Sequence, residues 1–113
     1  MAKYQYRRRV ILNKNGVEAV LITWPAGSES FFHDHGKSHG VVRVLKGKIK
    51  EEVYAKKDKK FLKESVFKKG ETCIETPDII HKMSNPFKTE AVSMHLYAPN
   101  LKMKTYKKMT TLQ

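Results

Sequence analysis

Five histidines, His33, His35, His39, His81 and His95, are the residues of this chain best suited to chemistry. His33 and His35 stand two apart, directly after Phe31-Phe32. On an extended strand, residues i and i+2 face the same way. Two imidazoles from one strand then form a natural chelate, and neutral imidazole is the commonest side-chain metal ligand. An ordinary surface His-x-His is the plain alternative. A second constellation is Ser93, His95 and Tyr97, three polar side chains on one face of an alternating stretch whose other face carries Val92, Met94 and Leu96. Either this is the solvent face of a sheet strand, or Ser93 and Tyr97 each bond one ring nitrogen of His95, which fixes its tautomer and aims the phenol. Cys73, on a strand ahead of His81, reads as a buried core residue.

The elements that must position these groups are strands. Val10–Leu12, the Asn13-Lys14-Asn15-Gly16 turn and Val17–Trp24 read as a hairpin. Further stretches of period two follow at 40–45, 49–55, 61–67, 72–75, 80–84 and 91–97, divided by turn signals such as Lys46-Gly47-Lys48 and Lys68-Lys69-Gly70-Glu71. Turns every 8–12 residues or so predict an all-β sandwich or barrel. The 113 residues support a single domain, with a barrel over 1–100 and a basic tail over 101–113 that either packs on the barrel through Leu101, Met103 and Tyr106 or frays.

Composition narrows the partners. The charge is +12, from 23 Lys+Arg against 11 Asp+Glu, but lysines dominate and cluster at turns. The aromatics do not interleave with the arginines as a base-stacking surface requires, so the charge reads as solvated loops and nucleic acid is not expected. The longest apolar run, Ala19–Trp24, is too short for a membrane helix, and no signal peptide is visible at the start. With one cysteine no internal disulfide forms, so a reducing, cytoplasmic setting is expected. A monomer or homodimer is expected.

The spacing of Gly27, His33, His35 and Gly47, followed by Pro77, His81 and Asn85, resembles the two-part motif of the cupin superfamily. That resemblance implies a single-domain jelly-roll β-barrel with a metal inside, held by His33, His35 and His81. Gly40 stands where most cupins carry a glutamate ligand. Three neutral imidazoles would leave the ion its whole charge and up to three open positions, suited to an anionic chelating substrate. Asp34, facing away from the two histidines, is expected to bond in a loop.

Within the cupins, the stretch from Phe32 to Pro99 resembles cysteine dioxygenase. The strings are His33-Asp34-His35-Gly36-Lys37-Ser38-His39-Gly40, Ile80-His81-Lys82-Met83-Ser84-Asn85-Pro86 and Val92-Ser93-Met94-His95-Leu96-Tyr97-Ala98-Pro99, with Tyr6-Arg7-Arg8 near the first strand. The resemblance implies Fe(II) on the three histidines, oxidation of a small thiol by O₂ to a sulfinate, and a place in cysteine catabolism toward taurine. It gives Arg8 the substrate carboxylate, with Tyr6 beside it, and makes Ser93, His95 and Tyr97 a relay. Guanidinium forks onto carboxylate in bidentate fashion, and metal binding favours the thiolate. Alternation puts Tyr6 and Arg8 on one face and Arg7 and Arg9 on the other. Family members are longer, with a helical N-terminal region missing here. Animal members carry a cysteine at position 40 that links to the relay tyrosine, whereas bacterial members share the glycine.

L-Cysteine is thus the expected substrate. The alternatives are another small thiol, 3-mercaptopropionate or cysteamine, or a non-catalytic metal-binding cupin. Members preferring 3-mercaptopropionate tend to carry glutamine in place of Arg8. A non-catalytic cupin would account for the three histidines but not for Tyr6, Arg8 and Tyr97 together.

Overall fold

The computed structural model describes residues 5–99 and 101–106. Ten strands run in chain order as β1 (Arg7–Lys14), β2 (Val17–Trp24), β3 (Phe32–His33), β4 (His39–Lys46), β5 (Lys48–Ala55), β6 (Phe61–Lys68), β7 (Thr72–Glu75), β8 (Ile79–Ser84), β9 (Ala91–Ala98) and β10 (Thr105–Tyr106). They form two five-stranded sheets, β1-β2-β9-β4-β7 and β10-β3-β8-β5-β6, with every pairing antiparallel. The expected all-β architecture forms, and no described residue is helical.

Turn chemistry sets the hairpins. Asn15 and Gly16 both have positive φ, 54° and 78°, as a two-residue type I′ turn between right-twisted strands requires. The inward residues of β2, β4, β5 and β8 close the core: Val20, Ile22, Trp24, Val42, Val44, Ile49 and Met83 are all buried. Cys73 is buried among them with a free thiol, which burial holds protonated.

Three local features differ from the simple expectation. His35 lies beyond the end of β3, in the loop 34–38, because Gly36 turns the chain with φ of 60°. On β9 the faces are inverted relative to an ordinary half-exposed strand: Ser93, His95 and Tyr97 are buried, while Val92, Met94 and Leu96 face outward. Alternation reveals that a strand has two faces, not which one the partner sheet covers. In the tail, Thr105 and Tyr106 pair with His33 and Phe32, so β3 is held on both sides. Asp34 fastens this segment. Its carboxylate accepts from the Tyr106 hydroxyl at 2.8 Å and the Lys104 amide at 3.3 Å, and its own amide donates to the Lys104 carbonyl at 2.9 Å. Gly36 completes the seat, since a Cβ there would meet the Lys102 carbonyl at 2.6 Å. The rest of the proposed tail, 107–113, lies outside the described residues.

Candidate metal centre

β3 delivers His33, the loop behind it His35, and β8 His81. His33 and His81 are register partners across β3 and β8. The three rings converge, with centroids 4.5–5.0 Å apart. His33 Nδ1 is 2.8 Å from the Phe31 carbonyl, which can only accept, so this nitrogen carries the proton. His81 Nδ1 donates to Glu51 Oε2 at 2.7 Å. His33 Nε2 is left as a lone pair, 3.0 Å from His81 Nε2. Donors bonded to one ion at about 2.1 Å each and at a right angle stand about 3.0 Å apart. The three residues therefore fit a metal ion. His33 is held well below the ordinary imidazole range, at about 3, by burial and the neighbouring His81 and His35, which keeps it a neutral donor. His39 takes no part and sits exposed at the start of β4.

Two buried carboxylates accompany the imidazoles, which the sequence reading did not include. Glu51 from β5 binds His81 as above, and Glu75 from β7 lies 3.1 Å from His35 Nε2 and 3.2 Å from His81 Nδ1. The expectation of an ion facing neutral imidazoles alone is therefore corrected. Burial by itself would depress His81, but Glu75 and Glu51 offset this and leave its pKa raised. A signal was available: Glu51 shares a strand face with Ile49 and Val53, and Glu75 with the buried Cys73. A charge on an apolar face demands a partner.

Beside the histidines runs a hydrogen-bond chain along the buried face of β9. Ser93 Oγ lies 2.7 Å from His95 Nε2, and His95 Nδ1 lies 2.9 Å from the Tyr97 hydroxyl. It begins one residue earlier than expected, at Trp24, whose Nε1–H donates to Ser93 Oγ at 2.8 Å. Indole nitrogen can only donate. Ser93 therefore accepts from Trp24, and its own proton is available to His95 Nε2. In that arrangement the neutral imidazole donates at Nδ1, the Tyr97 oxygen accepts and the phenol proton is free. Burial holds His95 neutral, with a pKa lowered to about 4, and raises that of Tyr97 well above the phenol range. The Tyr97 ring stacks on His35, centroids 5.5 Å apart, in space left by Gly40, where a Cβ would meet the ring at 2.8 Å.

Part of this cluster opens onto a cavity. Tyr6, Arg8, His33, His95 and Tyr97 all border it, against apolar walls that include Trp24 and Met83. Tyr6 stacks on Trp24 at 4.8 Å. Leu101, Met103 and Thr105 of the C-terminal segment complete the wall. Arg7 and Arg9 do not border this cavity, as strand alternation requires. Arg8 already has a carboxylate partner: its Nη2 donates to Glu18 Oε2 at 3.2 Å, and Glu18 is buried.

The family model for cysteine dioxygenase type I matches residues 1–109. Cysteine dioxygenase type 1 of Homo sapiens is 36% identical over 107 residues, covering 86% of this chain and 52% of the human protein. The Danio rerio protein is 30% identical over 107 residues, covering 86% of this chain and 53% of its own length. The chain thus spans about half the length of these relatives. An oxalate oxidase in complex with the substrate analogue glycolate superposes with a TM-score of 0.77, at 20% identity, over 88% of this chain and 54% of its own. A Klebsiella pneumoniae protein with a double-stranded β-helix domain gives 0.75, at 20% identity, over 96% and 90%. With the two antiparallel sheets, these structures identify the fold as the cupin barrel.

Proposed function

The chain belongs to the cysteine dioxygenase type I family, and from that premise we propose that it is an iron-dependent dioxygenase of a small thiol, with L-cysteine as substrate and cysteine sulfinate as product. The observation that carries the reading is a cluster of three imidazoles, one of which, His33, borders a cavity that Tyr97 and Arg8 also border. Oxidation of the thiol by one O₂ places both oxygen atoms on sulfur and releases the thiol proton. Fe(II), when held by His33, His35 and His81, supplies open coordination positions, Lewis acidity that favours the thiolate, and one-electron chemistry toward O₂.

The chain's own residues do the rest. Arg8 forks onto the substrate carboxylate from one side of the cavity. Tyr97 offers its proton toward the polar end of the substrate when the bonds run from Ser93 through His95 to the Tyr97 oxygen. The apolar walls limit water around the reacting groups, which strengthens both interactions. A reducing, cytoplasmic setting suits this role, since small thiols stay reduced there.

One observation favours a second substrate. The Arg8 guanidinium is already engaged by Glu18, and a carboxylate must compete with that bond. Cysteamine has the thiol and amine without the carboxylate, so it meets no such competition. The deciding experiment loads the protein with Fe(II) without oxygen, then follows O₂ uptake with cysteine, cysteamine and 3-mercaptopropionate in parallel. Stoichiometric uptake with cysteine foremost supports the proposal. Absence of uptake from fully loaded protein would leave a non-catalytic metal-binding cupin.

A further inference from the structure

Position 40 is empty of side chain, but its surroundings are not. Gly40 on β4 is the register partner of Glu75 on β7. A Cβ at position 40 would lie 3.3 Å from Glu75 Oε1. The carboxylate of Glu75 thus reaches, from the neighbouring strand, the region that a side chain at position 40 would enter.

Glu75 is wholly buried, and among the described residues neither of its oxygens makes a hydrogen bond of acceptable geometry. A buried ionised carboxylate without such bonds is among the costliest arrangements in a protein interior. Its nearest polar atoms are His35 Nε2 at 3.1 Å and His81 Nδ1 at 3.2 Å, both on rings of the metal-binding cluster. The Nδ1 proton of His81 is directed to Glu51, at 2.7 Å, and so is not available to Glu75. The site thus contains a wholly buried carboxylate whose immediate neighbours are two of the three rings read as metal ligands.

We propose that Glu75 is a positioning residue and the built-in counter-charge of the metal centre, supplied from β7 in place of a carboxylate at position 40. It orients His35, whose Nε2 lies 3.1 Å away, and offsets part of the ion's positive charge. This rests on reading His33, His35 and His81 as the metal ligands. Two consequences follow. Glu75 strengthens the binding of divalent ions. It also stabilises the more highly charged state of bound iron, which lowers the Fe(III)/Fe(II) midpoint potential.

The test compares the full chain with Glu75→Gln, which keeps the shape of the side chain and removes its charge, and with Glu75→Asp, which keeps the charge and retracts it. Metal-free protein is titrated with Co(II) against a competing chelator, and the midpoint potential of the iron-loaded protein is measured by spectroelectrochemistry. Glu75→Gln should weaken Co(II) binding by about 10–100-fold, the range for partners of ligating histidines. Its iron midpoint should rise by at least the equivalent of a tenfold change in relative affinity, about 59 mV for one electron. Glu75→Asp should lose affinity through poorer orientation yet hold a potential near that of the wild type. Wild-type affinity and potential in Glu75→Gln would overturn the proposal. So would equal changes of potential in both variants, which would reduce Glu75 to a packing role. If Glu75→Gln does not fold, the Asp variant decides alone, and wild-type Co(II) affinity in it overturns the proposal. A wild-type protein that binds no metal would instead refute the three-histidine reading, and this inference with it.

Discussion

The indole Nε1–H of Trp24 lies 2.8 Å from the Ser93 hydroxyl and donates to it, at the head of the chain of bonds that ends at Tyr97. When Ser93 passes its own proton on to His95, the Tyr97 hydroxyl is the free donor.

Trp24→Phe should keep the metal but lower turnover by roughly tenfold, as loss of a supporting partner behind a working group does. Tyr97→Phe should retain iron and lose about 10–100-fold in kcat, at or below the usual range for a positioned proton donor. Iron content by elemental analysis and initial O₂ uptake rates check both. Full activity in Tyr97→Phe would reduce the buried face of β9 to a structural network.

The three imidazoles should be individually indispensable for metal binding. His33→Ala, His35→Ala and His81→Ala should each lose bound iron, because two imidazoles are too few to hold it. His39→Ala, altered at an exposed position outside the cluster, should keep a full equivalent. Stoichiometric metal in any of the first three removes that histidine from the site.

Arg8 and Glu18 should move substrate preference in opposite directions. Charge-assisted bonds contribute roughly 1.5–3 kcal/mol each, and 1.4 kcal/mol is tenfold. Arg8→Gln should lower kcat/KM for cysteine by about 10–100-fold and barely alter that for cysteamine. Glu18→Gln releases the guanidinium and should raise the ratio of cysteine to cysteamine. Arg7→Gln and Arg9→Gln should leave that ratio unchanged. A shift caused by Arg7 or Arg9 in place of Arg8 would mean that the carboxylate is recognised elsewhere.

The metal-free protein should lose stability on mild acidification. His95 and His33 are held neutral in the fold, down to about 4 and about 3, mainly by burial, whereas an unfolded imidazole titrates near 6.5. Between about 6.5 and 4 the unfolded chain binds more protons, so stability falls as the pH falls. His81 has a raised pKa and acts with the opposite sign: its contribution is present below about 6.5 and fades as the pH rises through its raised value. Two lowered groups against one raised one predict a net loss. Thermal melts between pH 7.5 and 4.5 measure it, and His95→Gln should flatten the profile. A wild-type melting temperature independent of pH would contradict the neutral state assigned to His95.

Much of this architecture was legible in the residues. Asn15-Gly16 announced the first hairpin, and period-two patterning announced the strands it joins and most of those that follow. The spacing of His33, His35 and His81 marked a cluster that the barrel does bring together. What escaped was what alternation cannot encode. Ser93, His95 and Tyr97 could have faced water until the opposite sheet was known to cover them. Glu51 and Glu75 looked like charges on ordinary strands, because their partners lie on other strands. The pairing of Thr105 and Tyr106 was hidden in a lysine-rich stretch with no turn signal of its own.

That last pairing bears on how the protein is made. β3 is only two residues long, and one of its two neighbours is the segment around residue 105. A ribosome releases the chain from the N-terminus, so His33 emerges some seventy residues before the strand that braces it. Until then Asp34 lacks the amide and hydroxyl that it holds in the finished barrel. The candidate metal site is therefore completed late in synthesis, and a nascent chain stalled before residue 105 carries all three histidines without the brace that seats the first.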